Sequence, residues 1–514
     1  MKFLLRLNAA LLVLALSLTL VSPAFAATRV VDNTGACDDI TVYCTIAAAV
    51  LAADPGDTIS VAAGTYLEGL ILINKSLTLT GDPGDALPGP GPSAPVVDGQ
   101  DLYTDAFLIA NGTSNVTIQG FEIQNYATLN AGSNGEGNAV QAWVNGTDHI
   151  TVNDNYMHDL DWGGVLVGND NGGAVGHSYW TVARNILTDF GPDAFDTIAY
   201  GLEVSDATHV LIEDNVVDAG TGHPGTGILI NFRAESGEDI VIQRNEIRGE
   251  YDFAGINVQA STEYSPASQL DNVQILDNDV EISGAAFAAV QIRNKLSGTV
   301  TNTTVSGNRL IHNGAGFGLR NWNGAETINA IGNWWDSADG PSHLSNTYNV
   351  PTQGETVSDG ADFVPWLDAA PPGGVDFAPV TNGALNYSSI AAAEDDATPG
   401  DTINLAAGTF DEGRFVIDQD LTIVGVPGTI IRPNADINGG TAADAWFLIN
   451  AGITFNLSDV TLDGNGSNVR QALRNHGYTT VDNVDFTNIK TTESAYFGNA
   501  VSSYGGIVSS PILR

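Results

Sequence analysis

HITVNDNYM at residues 149–157, YWTVARNIL at 179–187, HVLIEDNVV at 209–217 and DIVIQRNEI at 239–247 are one phrase written four times. NVQILDNDV (272–280), NTTVSGNRL (302–310) and TINAIGNWW (327–335) continue it. Each carries an asparagine at the same place: Asn155, Asn185, Asn215, Asn245, Asn278, Asn308 and Asn333, at intervals of 30, 30, 30, 33, 30 and 25 residues. Self-similarity at such a period marks a solenoid. The apolar/polar alternation inside each phrase marks a β-strand with one buried face. Parallel strands stacked coil on coil place equivalent positions about 4.8 Å apart, so the recurring amides are expected to hydrogen-bond along a ladder. The fold class is therefore all-β, a parallel β-helix.

The neighbours of the asparagine support direct stacking. The preceding residue alternates in charge, Asp154, Arg184, Asp214, Arg244, Asp277, and so does the residue three positions after it, Asp218, Arg248, Glu281. These read as an outward ion-pair ladder that fixes register, each pair contributing about 0.2–1 kcal/mol, rather than as a catalytic stripe. Two positions after the asparagine stand Met157, Leu187, Val217, Ile247, Val280 and Leu310, the inward neighbours along a strand.

The N-terminus has the pattern of a secretory signal: basic Lys2 and Arg6, an apolar stretch from Ala9 to Val21, and Ala24-Phe25-Ala26 as cleavage site. Residues 1–26 are expected to be removed and the protein exported, secreted or displayed at the cell surface. No later segment reaches the 18 apolar residues of a membrane span. Cys37 and Cys44 are the only cysteines, and in an exported chain they are expected to form one disulfide. The net charge is −42. Such a surface repels nucleic acid and disfavours polyanions unless cations bridge them, whereas Ca²⁺ is a possible ligand of Asp and Asn oxygens.

The same module occurs twice. GDTISVAAGTYLEG (56–69) returns as GDTINLAAGTFDEG (400–413), each preceded by a short helical stretch, roughly 46–53 and 390–396, that suits a cap over the open end of a solenoid. The expected organisation is a first β-helix with its cap over 28–370, a Pro/Gly linker over 371–379, and the start of a second β-helix over 380–514. Because the second stops at Arg514 after a few coils, it is expected to be incomplete.

GDTISVAAGTYLEGLILINKSLTLTG (56–81) resembles the opening of right-handed parallel β-helix proteins of the pectin-lyase-like superfamily, exported bacterial surface proteins among them. GNWWDSADGPS (332–342) and ADFVPWL (361–367) are similar to the closing phrase of exported β-helix repeats. The resemblance implies a right-handed coil and export; it does not imply one activity, since one fold hosts unrelated functions. Gly64-Thr65-Tyr66-x-Glu68 resembles pectinesterases, but the only further match is the isolated Asp252-Phe253-Ala254-Gly255. Glu68 and Glu412 read instead as turn residues of the opening coils. The phrases that carry catalysis in polygalacturonases and pectate lyases are absent.

What remains is a loose set in the longer insertions, where functional residues of a solenoid collect: His158, Asp159, Asp161, Asp189, Asp193, Asp196, His223, Arg233 and Glu235. Asp159, Asp161, Asp189, Asp193 and Arg233 are the catalytic candidates for a Ca²⁺-assisted polysaccharide lyase, with Asp159, Asp161 and Asp193 as metal ligands. Trp143, Tyr156, Trp162 and Trp180 are the candidates for stacking on sugar rings, and Trp334-Trp335 reads as the closing plug of the first module. The favoured reading is a scaffold that presents loops for adhesion or for contact with polysaccharide or cell-wall glycan; the alternative is the lyase.

Overall fold

The computed structural model describes residues 26–35, 37–81, 94–129, 136–143, 145–168, 176–191, 199–263, 268–322, 324, 326–437, 445–492 and 498–513. The chain is a parallel β-solenoid of about 14 turns. Each coil contributes one strand to each of three sheets. His177–Ala183, Ile186–Thr188 and Tyr200–Ser205 are one such set. The first sheet runs from Val42–Tyr43 to Ala361–Asp362; the second, from Gly64–Leu67 to Arg309–His312; the third, from Ile71–Ile73 to Phe317–Trp322. Register is kept from coil to coil, so that Val152, Val182, Ile212, Ile242, Ile275 and Val305 stack inside the first sheet. All six are buried.

The asparagine sits at the corner between the first and second sheets rather than inside a strand. The residue before it adopts a left-handed conformation: φ is 56° at Asp154, 53° at Arg184, 55° at Asp214, 53° at Arg244 and 54° at Asp277, with glycine in that place at Gly307 and Gly332. A left-handed non-glycine residue costs roughly 1–2 kcal/mol, and the corner holds it because the following amide is bonded on both sides. Asn185 shows the pattern. Its Oδ1 accepts from the backbone N–H of Asn155 (3.1 Å) and from Asn155 Nδ2 (3.0 Å), while its own Nδ2 donates to Asn215 Oδ1 (3.0 Å) and to the Val152 carbonyl (2.9 Å). The chain of amides continues through Asn245, Asn278 and Asn308 to Asn333, all buried.

The charged residues at the corner pair by twos rather than in an unbroken ladder. Arg184 grips Asp154 with two bonds of 2.8 Å, and Arg244 grips Asp214 at 2.9 and 3.0 Å. In the second sheet Arg248 leans to Glu246 (2.9 Å) instead of the stacked Asp218 and Glu281, and Glu281 is taken by Arg309 (2.8 Å). These side chains are half-exposed, so each pair contributes little, about 0.2–1 kcal/mol.

The helix Ile46–Ala52 lies at the start of the solenoid, N-capped by Thr45 and burying Ile46, Ala49 and Val50. Glu68 is more than a turn residue. Its carboxylate accepts from the backbone N–H groups of Ile46 (2.7 Å) and Ala47 (2.9 Å), the donors that a helix N-terminus leaves open. Glu412 repeats this at the helix Ile390–Asp395, accepting from Ile390 N–H (2.6 Å) and the Thr347 hydroxyl (2.9 Å). Cys37 and Cys44 are disulfide-bonded beside the first helix.

The segment expected as a linker includes a short strand. Asp376–Phe377 turns back to pair antiparallel with Trp366–Leu367. The Tyr348 ring lies 6.4, 5.6 and 5.3 Å from those of Trp366, Phe377 and Phe410, and Trp366 lies 5.8 Å from Phe377. One hydrophobic cluster therefore continues from the first stack of coils into the second, whose strands build a 10-stranded and a 4-stranded sheet. Trp335 is buried in the same cluster. Among the described residues no helix is long and apolar enough to cross a membrane.

Candidate functional site: the outer face of the third sheet

The three sheets show solvent different chemistry. Along the outside of the first, Thr78, Thr117, Thr151 and Thr181 stack. The second is lined by the paired charges above. The third carries amides, arginines and aromatics in two columns on the side away from the aliphatic core, because strands such as Ala254–Ser261 and Ala288–Lys295 alternate core aliphatics with polar residues; the amides are buried, and only the arginine and aromatic end of the columns reaches solvent.

In one column Glu203, Leu229, Asn257, Gln291 and Arg320 stand in register; in the other, Ser205, Asn231, Gln259, Arg293 and Trp322. Gln259 donates to Asn231 Oδ1 (2.9 Å) and Gln291 to Asn257 Oδ1 (3.1 Å). Their own Oε1 atoms are buried without a hydrogen-bond partner, as is Arg293 Nε. Buried polar atoms are nearly always bonded, so this face holds unused hydrogen-bonding capacity.

The columns end in a cationic aromatic patch. The guanidinium groups of Arg293 and Arg320 each lie 4.2 Å from the Trp322 ring centroid. Arg293 also lies 5.6 Å from Phe253, and Arg320 lies 5.2 Å from Phe287, whose ring is exposed and edge-on to Phe253. Among the described residues, neither arginine side chain makes an ion pair or a hydrogen bond. Burial, together with the charge of Arg320, lowers the Arg293 pKa; burial alone lowers that of Arg320. In a chain of net charge −42, two adjacent guanidiniums held only by aromatic faces stand out from Arg184, Arg244 and Arg309, all of which are matched to carboxylates.

At the other end of the face, the Trp162 ring lies edge-on to Tyr200 at 6.0 Å, with its buried Nε1 unbonded. The Arg233 guanidinium lies 5.8 Å from the Trp143 ring. Asp206 accepts the backbone N–H groups of Arg233 (2.8 Å), Ala234 (2.9 Å) and Glu235 (3.2 Å), a turn cap.

The remaining candidates disperse. Asp159 and Asp189 occupy left-handed positions one coil apart, at the end of the second-sheet segment, both exposed. Asp159 is paired with His158 (2.7 Å), whose ring stacks on Tyr156 at 4.4 Å. Asp161 instead accepts the Thr128 N–H (2.7 Å). Asp193 and Asp196 lie outside the described residues. Among those described, Asp159, Asp161 and Asp189 join no group of three metal-ligating side chains. Trp180 is not at the surface: it is a fully buried core residue whose Nε1 donates to the Thr147 hydroxyl (3.1 Å). His223 pairs with Glu250 (2.9 Å).

Sequence reasoning missed Arg293 and Arg320, the partners of Trp322. Their only sequence signal is that polar residues fill the outward positions of successive third-sheet strands, which any half-buried strand would also show.

No protein-family model matches the chain, and no curated protein matches it. Solved structures do. The alginate lyase AlyGC is 13% identical, with 94% of this chain and 80% of that chain covered, at a TM-score of 0.29. An A-module of an Azotobacter vinelandii mannuronan C-5 epimerase is 12% identical over 91% of this chain and 96% of its own, at 0.36. The Yersinia enterocolitica family 28 exopolygalacturonase is 13% identical over 94% and 78%, also at 0.36. At such identities and scores the likeness carries no argument about activity.

Proposed function

We propose that the chain is an exported β-helix scaffold that binds glycan along the outer face of its third sheet, with an acidic sugar seated on Arg293, Trp322 and Arg320. The observation that carries this reading is the pair of guanidiniums at 4.2 Å from one indole ring, with no carboxylate partner among the described residues. Aromatic faces suit the apolar face of a sugar ring, and a guanidinium presents the planar fork that a carboxylate or sulfate accepts.

The test is retention of the full chain on immobilised acidic and neutral polysaccharides, with ultraviolet absorbance recorded for unsaturated uronate products. Retention on an acidic polysaccharide, weakened about tenfold or more by Arg293→Gln with Arg320→Gln, supports the reading; each good charged contact of this kind is worth about 1.5–3 kcal/mol. Retention equal in the double variant refutes the site. Calcium-dependent absorbance would replace the scaffold by the lyase.

A further inference from the structure

Past the ends of the third-sheet strands, at the start of the first-sheet strands, lies a second set of residues that the glycan reading does not use. His149, Tyr179 and His209 occupy the same left-handed position in three successive coils, with φ of 53°, 53° and 54°, and Asp239 continues it at 60°. The three rings stack at centroid distances of 4.6 Å, with interplanar angles of 21° and 19°. Stacking on Tyr179 holds the plane of the His209 imidazole, whose Nδ1 reaches the next coil. There Glu238 and Asp239 wait: one ligand atom from each of His209, Glu238 and Asp239 lies within 4.8 Å of the others. Among the described residues this is the one such group.

We infer that His209, Glu238 and Asp239 form a coil-bridging site for a borderline divalent cation, of which Zn²⁺ is the representative. The separation of His209 Nδ1 from Asp239 Oδ2 is 2.9 Å. Two ligands each about 2.0–2.1 Å from a shared cation, and near a right angle, stand about 3 Å apart, so a cation fits beside the line that joins these two atoms. Asp239 is pre-oriented from behind, since Asn272 Nδ2 donates to its other oxygen at 2.6 Å. A ligating carboxylate with a supporting hydrogen bond is the usual outer-shell arrangement. The backbone already ties the two coils here, His209 N–H to Glu238 carbonyl at 2.9 Å.

The donor set selects the class of ion. Imidazole nitrogen with two carboxylates suits Zn²⁺, Cu²⁺ or Ni²⁺. Ca²⁺ wants six to eight oxygens and gains nothing from the ring. Three protein ligands leave at least one position open to water.

Calorimetric titration of the full chain with Zn²⁺ tests the assignment. One equivalent should bind, with affinity weakened about tenfold or more in His209→Ala and in Asp239→Asn, and unchanged in His149→Ala, which keeps Asp148 but touches none of the three ligands. The melting temperature of the wild type should rise with Zn²⁺, because a ligand of the native state alone stabilises it. Ca²⁺ at the same concentration should not compete. Melting temperatures in chelator establish that each variant is folded; if His209→Ala is not, Glu238→Gln, at an exposed position, takes its place. Equal affinity in His209→Ala and Glu238→Gln overturns the inference. So does binding of several weak equivalents indifferent to all these substitutions, which would mean an adventitious ion only.

Discussion

Asn215→Ala removes the middle of the amide ladder, and the structure sets what that should cost. Asn215 Oδ1 accepts from Asn185 N–H (2.9 Å) and Asn185 Nδ2 (3.0 Å); its Nδ2 donates to the Val182 carbonyl (2.9 Å) and to Asn245 Oδ1 (2.9 Å). Not all four losses weigh equally. Asn185 Nδ2 keeps the Val152 carbonyl, and Asn245 Oδ1 keeps the backbone N–H of Asn215. The buried N–H of Asn185 keeps nothing. Leaving such a donor unsatisfied costs about 1–3 kcal/mol, and the partial losses bring the total to about 2–4 kcal/mol. The measurement is amide hydrogen exchange at Asn185, which reads local opening in a repeat array where one global transition is not assured. Exchange should accelerate at least about thirtyfold, the equivalent of about 2 kcal/mol. Arg184→Ala, one residue away but half-exposed, should change it by no more than about fivefold, because its ion pair is worth about 1 kcal/mol or less. If Asn215→Ala leaves Asn185 as protected as in the wild type, the ladder does not hold the corner and the reasoning fails.

Two further outcomes follow from the packing. Burial raises the carboxyl pKa of Glu412, Glu355 and Glu394 to about 7 and of Asp105 to about 6, so from about pH 4.5 to 7 the native state binds more protons than the unfolded one. Stability should therefore fall as pH rises through that window, seen as a melting temperature higher at pH 5 than at pH 8, with a shallower slope in Glu412→Gln; a melting temperature that rises with pH would contradict it. Trp180→Ala should cost about 3–5 kcal/mol as a core cavity while leaving retention on polysaccharide unchanged, and loss of retention in a variant that still melts cooperatively would return Trp180 to the binding face.

The comparison between residues and fold divides along range. Asn215 recurs in phrase with Asn185 and Asn245 because every coil meets its neighbour at the same height, so period, ladder and inward aliphatics were readable in one dimension. The left-handed corner at Arg184 was not, since an arginine there obeys the tertiary bonding of Asn185 rather than its own preference. Trp180 and Tyr179 are adjacent and look alike as aromatics, yet one is core and the other surface: Trp180 stacks in the inward place of Ile150, two positions before Val182, and the strand alternation puts Tyr179 outside.

The same distinction governs function. From the amino-acid sequence alone came a parallel β-helix begun twice, with its asparagine ladder and its single cysteine pair, because stacking is a nearest-neighbour relation between equivalent residues about 30 positions apart. The joining of the two stacks through Tyr348, Trp366, Phe377 and Phe410, the convergence of Arg293, Arg320 and Trp322, and the meeting of His209 with Glu238 and Asp239 were decided in three dimensions. Each depends on which side of a strand a residue faces and how closely coils approach, and neither is written in the spacing of residue types along the chain.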